Sequence, residues 1–410
     1  MEGDFNAEFF RANRARLREL FTGRAPIVIT GSSQVQQSAD TAYPFTQDKN
    51  FWYLTGIDVA DAVLVMEPEK EYIILPPRSS VQDTFDGAFD ASVFEEISGV
   101  RSVHDSEAGW KILDARLKKV KHVATLSPLP AYLDVYGMFT NPARRVLARR
   151  MRSVNPELEL LDIRDHVARL RSIKQPVELE AIQSAIMLTA KAIEKYTTAK
   201  KLEVYRFAYE LEADIRQLFA KSGSDHAFSP IISSGKQSCV LHSVDLKHSL
   251  GEGELVQLDI GASFHGYAAD ISRARASGEP SKRQQAIHAA VLEVQSYALG
   301  LLKPGVLLRD YEQKVEQFMG EKLRELLLIK TISSEAVREY FPHATSHFLG
   351  LDTHDVGDYD RPLEPGMVIT CEPGIYVPAE GIGVRIEDDI LITATGNENL
   401  SSSLTRDLLQ

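Results

Sequence analysis

The stretch Gln257-Leu258-Asp259-Ile260-Gly261-Ala262-Ser263-Phe264-His265-Gly266-Tyr267-Ala268-Ala269-Asp270-Ile271 sets two acids into otherwise apolar runs. A carboxylate embedded in an apolar strand costs free energy unless something positive lies beside it. Read as a hairpin, the stretch acquires a definite geometry. Residues paired across an antiparallel ladder share a constant index sum, so a two-residue connection at Phe264-His265 predicts Asp259 directly opposite Asp270, on one face. Gly266 points to a slightly longer, bulged turn, which makes that register approximate.

A second acidic pair behaves alike. It lies in Thr370-Cys371-Glu372-Pro373-Gly374-Ile375-Tyr376 and Gly383-Val384-Arg385-Ile386-Glu387-Asp388-Asp389. With a turn near Ala379-Glu380-Gly381, Glu372 is predicted to face Glu387. Alternation then puts Arg385 on the face of Glu387, and Val384 and Ile386 on the other. Between the pairs runs His343-Ala344-Thr345-Ser346-His347-Phe348-Leu349-Gly350-Leu351-Asp352-Thr353-His354-Asp355-Val356-Gly357. Two hairpins with two inward acids each make a cage of four carboxylates, Asp259, Asp270, Glu372 and Glu387, and His347 supplies a fifth ligand. Four oxygens and one imidazole suit a divalent first-row ion, manganese first, with cobalt, zinc or iron also compatible. Two such ions, roughly 3.5–4 Å apart, share a bridging water or hydroxide as nucleophile, which points to hydrolysis. A lone strand acid is ordinarily an edge or bulge residue, and a lone histidine a satisfied polar group. Five such residues at spacings that fit two hairpin registers are not explained that way. His343 and His347 are four apart, but no Glu follows His343, so the helical two-histidine zinc pattern fails.

The chain has 410 residues, too many for one ordinary core, so two domains are expected. Hydrophobic residues make up 44% and charged residues 25%, as in globular proteins. A net charge of −12 argues against nucleic acid or an anionic membrane as partner. The two cysteines, Cys239 and Cys371, lie in apolar, strand-like stretches, which fits a reduced cytoplasmic compartment better than a disulfide scaffold. No apolar run reaches the length of a membrane helix.

Residues 1–165 read as a smaller mixed α/β unit. It has a helix around Glu8–Leu20, buried strands at Ala25–Gly31, Ala62–Met66 and Tyr72–Leu75, then short strands and helices to about Ile163. Arg164–Arg171 reads as the junction. Residues 166–410 read as α+β, an antiparallel sheet covered by helices at Pro176–Tyr196, Val204–Lys221 and Arg283–Leu301.

The set Asp259, Asp270, His347, Glu372 and Glu387 resembles that of the pita-bread metallopeptidases, the group of methionine aminopeptidase, prolidase and aminopeptidase P. Ser346–Gly357 and Gly381–Asp389 sharpen the resemblance to aminopeptidase P, and Ser38–Gly56 is similar to that family's N-terminal domain, which methionine aminopeptidase lacks. The resemblance implies a pita-bread catalytic domain after a creatinase-like N-terminal domain. It implies an enzyme with two metal ions that hydrolyses the N-terminal Xaa-Pro bond of peptides, and a homodimer or homotetramer. It also implies that Glu372 serves as base beyond its ligation, and that His242, His343, His354, Tyr376 and Arg385 contact substrate. Ala344 stands where glycine is common in the family, and Phe85 where a tryptophan is. Prolidase, restricted to Xaa-Pro dipeptides, is the nearest alternative activity. A non-catalytic peptide-binding module on the same fold is the alternative of a different class, disfavoured because all five ligand positions are filled.

Overall fold

The computed structural model describes residues 5–128 and 137–409. The expected run of short strands and helices up to Ile163 includes residues 129–136, which lie outside the described part. The chain divides into two compact units, Met1–Leu170 and Arg171–Gln410.

The first unit is built on a six-stranded mixed sheet. Its strands run in the order Val103–His104, Glu71–Ile74, Val63–Met66, Ile27–Thr30, His122–Thr125 and Glu159–Asp162. The centre, Ile27–Thr30 and Val63–Met66, is buried throughout, as a sequence apolar but for Thr30 requires. Asn6 and Asp48 cap the helices Ala7–Leu20 and Lys49–Thr55 by accepting backbone N–H bonds. Phe85 lies in the last turn of the helix Ser80–Asp86 and is 83% exposed.

The second unit is antiparallel sheet covered by helices, as the sequence implies. Its long helix, Pro176–Tyr196, starts with proline at the position where a missing N–H costs nothing. Ala181, Ile182, Ala185, Ile186, Thr189, Ala190, Ile193 and Tyr196 form its buried stripe. That stripe holds the first hairpin: Ala262 N donates to Thr189 Oγ1 at 2.9 Å, and Tyr267 Oη to Glu178 Oε1 at 2.9 Å. The helix expected over Val204–Lys221 begins at Ala208, after a separate turn Ala199–Leu202. The helix Leu308–Glu325 went unread, although Leu308, Tyr311, Val315, Met319 and Leu323 recur at helical spacing and are buried.

The first hairpin corrects one expectation. Its ladder pairs Asp259 with Ser272 and Ile260 with Ile271, and beyond a break Ser263 with Ala268 and Phe264 with Tyr267. Asp259 is therefore not directly opposite Asp270. The two-residue turn is His265-Gly266, with φ of 49° and 83°, the positive pair that matches strand twist in tight hairpins. Moving the turn by one residue slides one strand by two, which keeps every side chain on its expected face. At the break a Cβ on Gly261 would lie 1.7 Å from the Ala269 carbonyl oxygen, so only glycine fits. Asp270 leaves the ladder there, and its N–H donates to Asp389 Oδ2 at 3.2 Å.

The second hairpin keeps the expected register. Cys371 pairs with Asp388 on one side of a break and Gly374 with Arg385 on the other, so Glu372 and Glu387 fall opposite each other between them. Val384, Ile386, Ile390 and Cys371 turn into a core shared with Val291 and Val294 from Lys282–Leu301 and with Val315 and Met319 from Leu308–Glu325. Burial of each such aliphatic side chain is worth about 1.5–3 kcal/mol and fixes which face the acids take. Gln257 locks the hairpins together: its Oε1 accepts from Arg385 N at 2.8 Å and its Nε2 donates to Arg385 O at 3.2 Å.

Candidate metal centre

The segment around His347 lies beside the strand Val368–Cys371. Thr370 N donates to His347 O, Leu349 N to Val368 O, and Glu372 N to Thr345 O, at 2.9, 3.0 and 2.9 Å. This pairing brings His347 against the acids of both hairpins. Its Nδ1 donates to the Phe348 carbonyl at 3.0 Å, which leaves Nε2 facing Asp270 Oδ2 and Glu372 Oε1, each at 3.4 Å. Asp270, His347 and Glu387 form a triad whose candidate ligand atoms lie within 4.8 Å of one another. Glu372 joins through His347. Asp259 is held by Arg385, whose Nη2 donates to Asp259 Oδ2 at 2.5 Å.

The acids stand in an uncompensated electrostatic position. Burial, then the charges of Glu387, Asp259, Asp389 and Glu372, hold the Asp270 carboxyl well above the usual carboxylate range. Burial likewise raises Glu387, with Glu372 and Asp259 adding to it, and Glu372 is raised for the same first reason. One oxygen of each deep acid is also unused: Asp259 Oδ1, Asp270 Oδ1 and Glu387 Oε1 are buried and have no hydrogen-bond partner among the described residues. Buried acceptors without partners are costly, and two of these three belong to the acids that group with His347. This donor set fits divalent cations bound through carboxylate oxygens and His347 Nε2.

A hydrogen-bonded wall adjoins the acids. Arg385 Nη1 donates to Tyr376 Oη at 2.8 Å, and Tyr376 Oη lies 2.8 Å from His343 Nε2. The His343 Nδ1–H is directed at the Ala344 carbonyl, 2.8 Å away, so Nε2 accepts the tyrosine proton and the ring is neutral. Burial, with Arg385 nearby, depresses His343 to about 3. His354 packs edge-on to His347, with ring centroids 4.5 Å apart, and burial lowers it to about 4. His242 is exposed and is an electrostatic neighbour of both His343 and His354. Thus His343, His354, Tyr376 and Arg385 gather around the acids, and His242 stands at their edge.

Supporting residues went unread in the sequence. Asp355, next to His354, is buried between Arg171 Nη2 at 2.5 Å and Lys174 Nζ at 3.0 Å, so two buried cations hold the loop that carries both histidines. Glu312 accepts the N–H groups of Thr345 and Ser346, and burial pushes it up to about 7. Asp389 holds the Asp270 backbone. Arg273, fully buried, donates to Glu387 O and Asp388 Oδ1, both at 2.6 Å. Such arginines and lysines are rarely buried unless paired, and no local pattern in the sequence marks which of them are. His265 forms the hairpin turn, and His226 is half-buried against Phe219. Cys239 lies in a 3-10 turn and Cys371 in a strand, both as free thiols. Among the described residues, no helix is long and apolar enough to cross a membrane.

Comparison with known proteins agrees with this geometry. Residues 180–394 match metallopeptidase family M24, and residues 10–124 match the aminopeptidase P N-terminal domain. The chain is 33% identical to the Xaa-Pro aminopeptidase of Escherichia coli K12, over 97% of this chain and 95% of that protein. It is 31% identical to human Xaa-Pro aminopeptidase 3, over 93% of this chain and 79% of that one. Among solved structures, E. coli aminopeptidase P with the inhibitor Pro-Leu superposes with a TM-score of 0.85 at 31% identity, over 99% of this chain and 97% of that one. The zinc-substituted form of that enzyme with product gives 0.84 at 30% identity, with the same coverage. The expected architecture, a pita-bread domain behind an aminopeptidase P N-terminal domain, is the one these matches describe. The chain belongs to metallopeptidase family M24, and is a hydrolase of the metallo-aminopeptidase kind.

Proposed function

We propose that this enzyme removes the first residue from peptides whose second residue is proline, with two divalent ions, manganese first among them, held by Asp259, Asp270, His347, Glu372 and Glu387. The observation that carries the reading is the grouping of Asp270, His347 and Glu387 with candidate ligand atoms within 4.8 Å of one another, while Asp259, Asp270 and Glu387 each keep one buried oxygen without a hydrogen-bond partner among the described residues. The names of the similar Xaa-Pro aminopeptidases supply the substrate class. When bound, the ions would supply Lewis-acid polarisation of the scissile carbonyl and a water ionised at neutral pH.

The protein's own groups divide the remaining tasks. Proline lacks a backbone N–H, so the Xaa-Pro bond must be recognised through the ring and its nitrogen must receive a proton. Glu372 is the proton carrier: Thr370 Oγ1 donates to its Oε1 at 3.2 Å, which keeps that oxygen oriented, while its Oε2 lies 3.6 Å from His343 Nδ1. His354 and His242 donate hydrogen bonds to the oxyanion and the substrate backbone. His343, locked to Tyr376 and Arg385, walls the proline subsite. We assign the enzyme to the cytoplasm on its two free cysteines, and assign it a homo-oligomeric state, dimer or tetramer, with exposed Phe85 at a subunit contact. Light scattering at assay concentration tests that state, and a fully active monomer refutes it.

A substrate series tests the specificity. Xaa-Pro-Yaa peptides with a free amino terminus are expected to be cleaved, and their Xaa-Ala-Yaa and N-acetylated counterparts are not. Equal turnover of all three would refute the reading, and cleavage confined to Xaa-Pro dipeptides would reassign the enzyme as a prolidase.

A further inference from the structure

Ser272 is fully buried and is the cross-strand partner of Asp259. Its hydroxyl lies between two residues of the second hairpin: Oγ is 2.9 Å from Arg385 Nε and 2.8 Å from Glu387 Oε2. Arg385 Nε can only donate, so the serine oxygen accepts there and its single proton goes to Glu387. The backbone repeats the link, with Glu387 N donating to Ser272 O at 3.1 Å. Oε2 of Glu387 is thereby engaged, while Oε1, in a side chain 1% exposed, has no partner among the described residues. The same arginine engages Asp259 Oδ2 and leaves Oδ1 unused. One hydroxyl thus sets the free oxygen of Glu387 directly and that of Asp259 through Arg385.

We infer that Ser272 is a positioning residue for the metal centre: its hydroxyl selects which oxygen of Glu387 faces the cations, and couples that choice to Arg385 and Asp259. The inference rests on the reading of Glu387 as a ligand. Groups that orient a metal ligand by hydrogen bonding typically change affinity or activity by about 10- to 100-fold when removed. Without the hydroxyl, Arg385 Nε loses its acceptor and the Glu387 carboxylate is free to rotate. Threonine keeps the hydroxyl, whereas alanine does not.

The test measures Mn2+ affinity by competition with a chelating dye, on protein stripped of metal, for the parent, Ser272→Ala, Ser272→Thr and Glu387→Gln. Thermal melting of each metal-free protein monitors the fold separately. Ser272→Ala is expected to bind Mn2+ about 10- to 100-fold more weakly, and Ser272→Thr to bind near the parent value. A purely structural role would lower the metal-free melting point and leave affinity intact. Unchanged affinity in Ser272→Ala, with weakened binding in Glu387→Gln, would overturn the inference. Unchanged affinity in Glu387→Gln would instead overturn the ligand assignment beneath it. Should Ser272→Ala not fold, Ser272→Val against Ser272→Thr isolates the hydroxyl at matched volume, and equal affinities for that pair would overturn it.

Discussion

Both units bury charge, but to opposite ends. In the N-terminal unit Arg14 is 1% exposed, and its donors reach Leu54 O, Ser98 O and both oxygens of Glu71. Glu67 and Asp114, which each bury an oxygen lacking a hydrogen bond, sit beside Arg116 and Arg150. Buried polarity there is answered by opposite charge and joins helix to sheet. In the catalytic unit the partnerless carboxylate oxygens belong to acids that crowd one another, with Arg385 answering only Asp259 directly. A buried charge with a partner is architecture, and a group of buried like charges without enough partners is a place for a ligand.

The largest effect is expected from Asp270→Ala. It removes the acid that the triad shares, so turnover should vanish and metal content fall; retained turnover in metal-free protein would break the contrast. Glu372→Gln keeps size and loses the base, so kcat should drop by about 10²–10⁴. Full metal occupancy with near-normal kcat would show that Glu372 carries no proton. Arg14→Met in the other unit should cost about 3 kcal/mol in denaturant unfolding and leave the metal content per folded chain unchanged; a lowered metal content would erase the distinction between the units. His226, packed against Phe219, gives a pH-dependent effect. Burial, opposed by Asp225, takes it from 6.5 to about 4. The unfolded chain takes up that proton near pH 6.5 and the folded chain does not until about 4, so stability is full above 6.5 and is lost as pH falls through that window. By urea titration His226→Phe should lose less stability between those pH values than the parent, by up to about 3 kcal/mol; parallel losses would contradict the assignment.

The second hairpin was legible because its turn lies where Gly381, with φ of 64°, requires it, and the alternation of Val384, Arg385, Ile386 and Glu387 fixes both faces. In the first hairpin the direct pairing was misread by two residues, since His265 adopts a left-handed conformation that side chains other than glycine rarely take. The acids still shared a face, because faces depend only on the parity of the register. The candidate site was legible as residue types at hairpin spacing. Its supports were not: the clamp of Arg171 and Lys174 on Asp355 spans about 180 residues of chain, and no local pattern signals such a pairing. Ser272 was hidden by the register error itself, since only the true turn sets it across from Asp259.

The central claim is that the cluster of buried acids is a two-cation site, and calorimetric titration of metal-free protein with Mn2+ tests it most directly. The account predicts two ions bound per chain, with binding lost in Asp270→Ala. A protein that takes up no Mn2+, or an Asp270→Ala variant that binds both ions as the parent does, would contradict it.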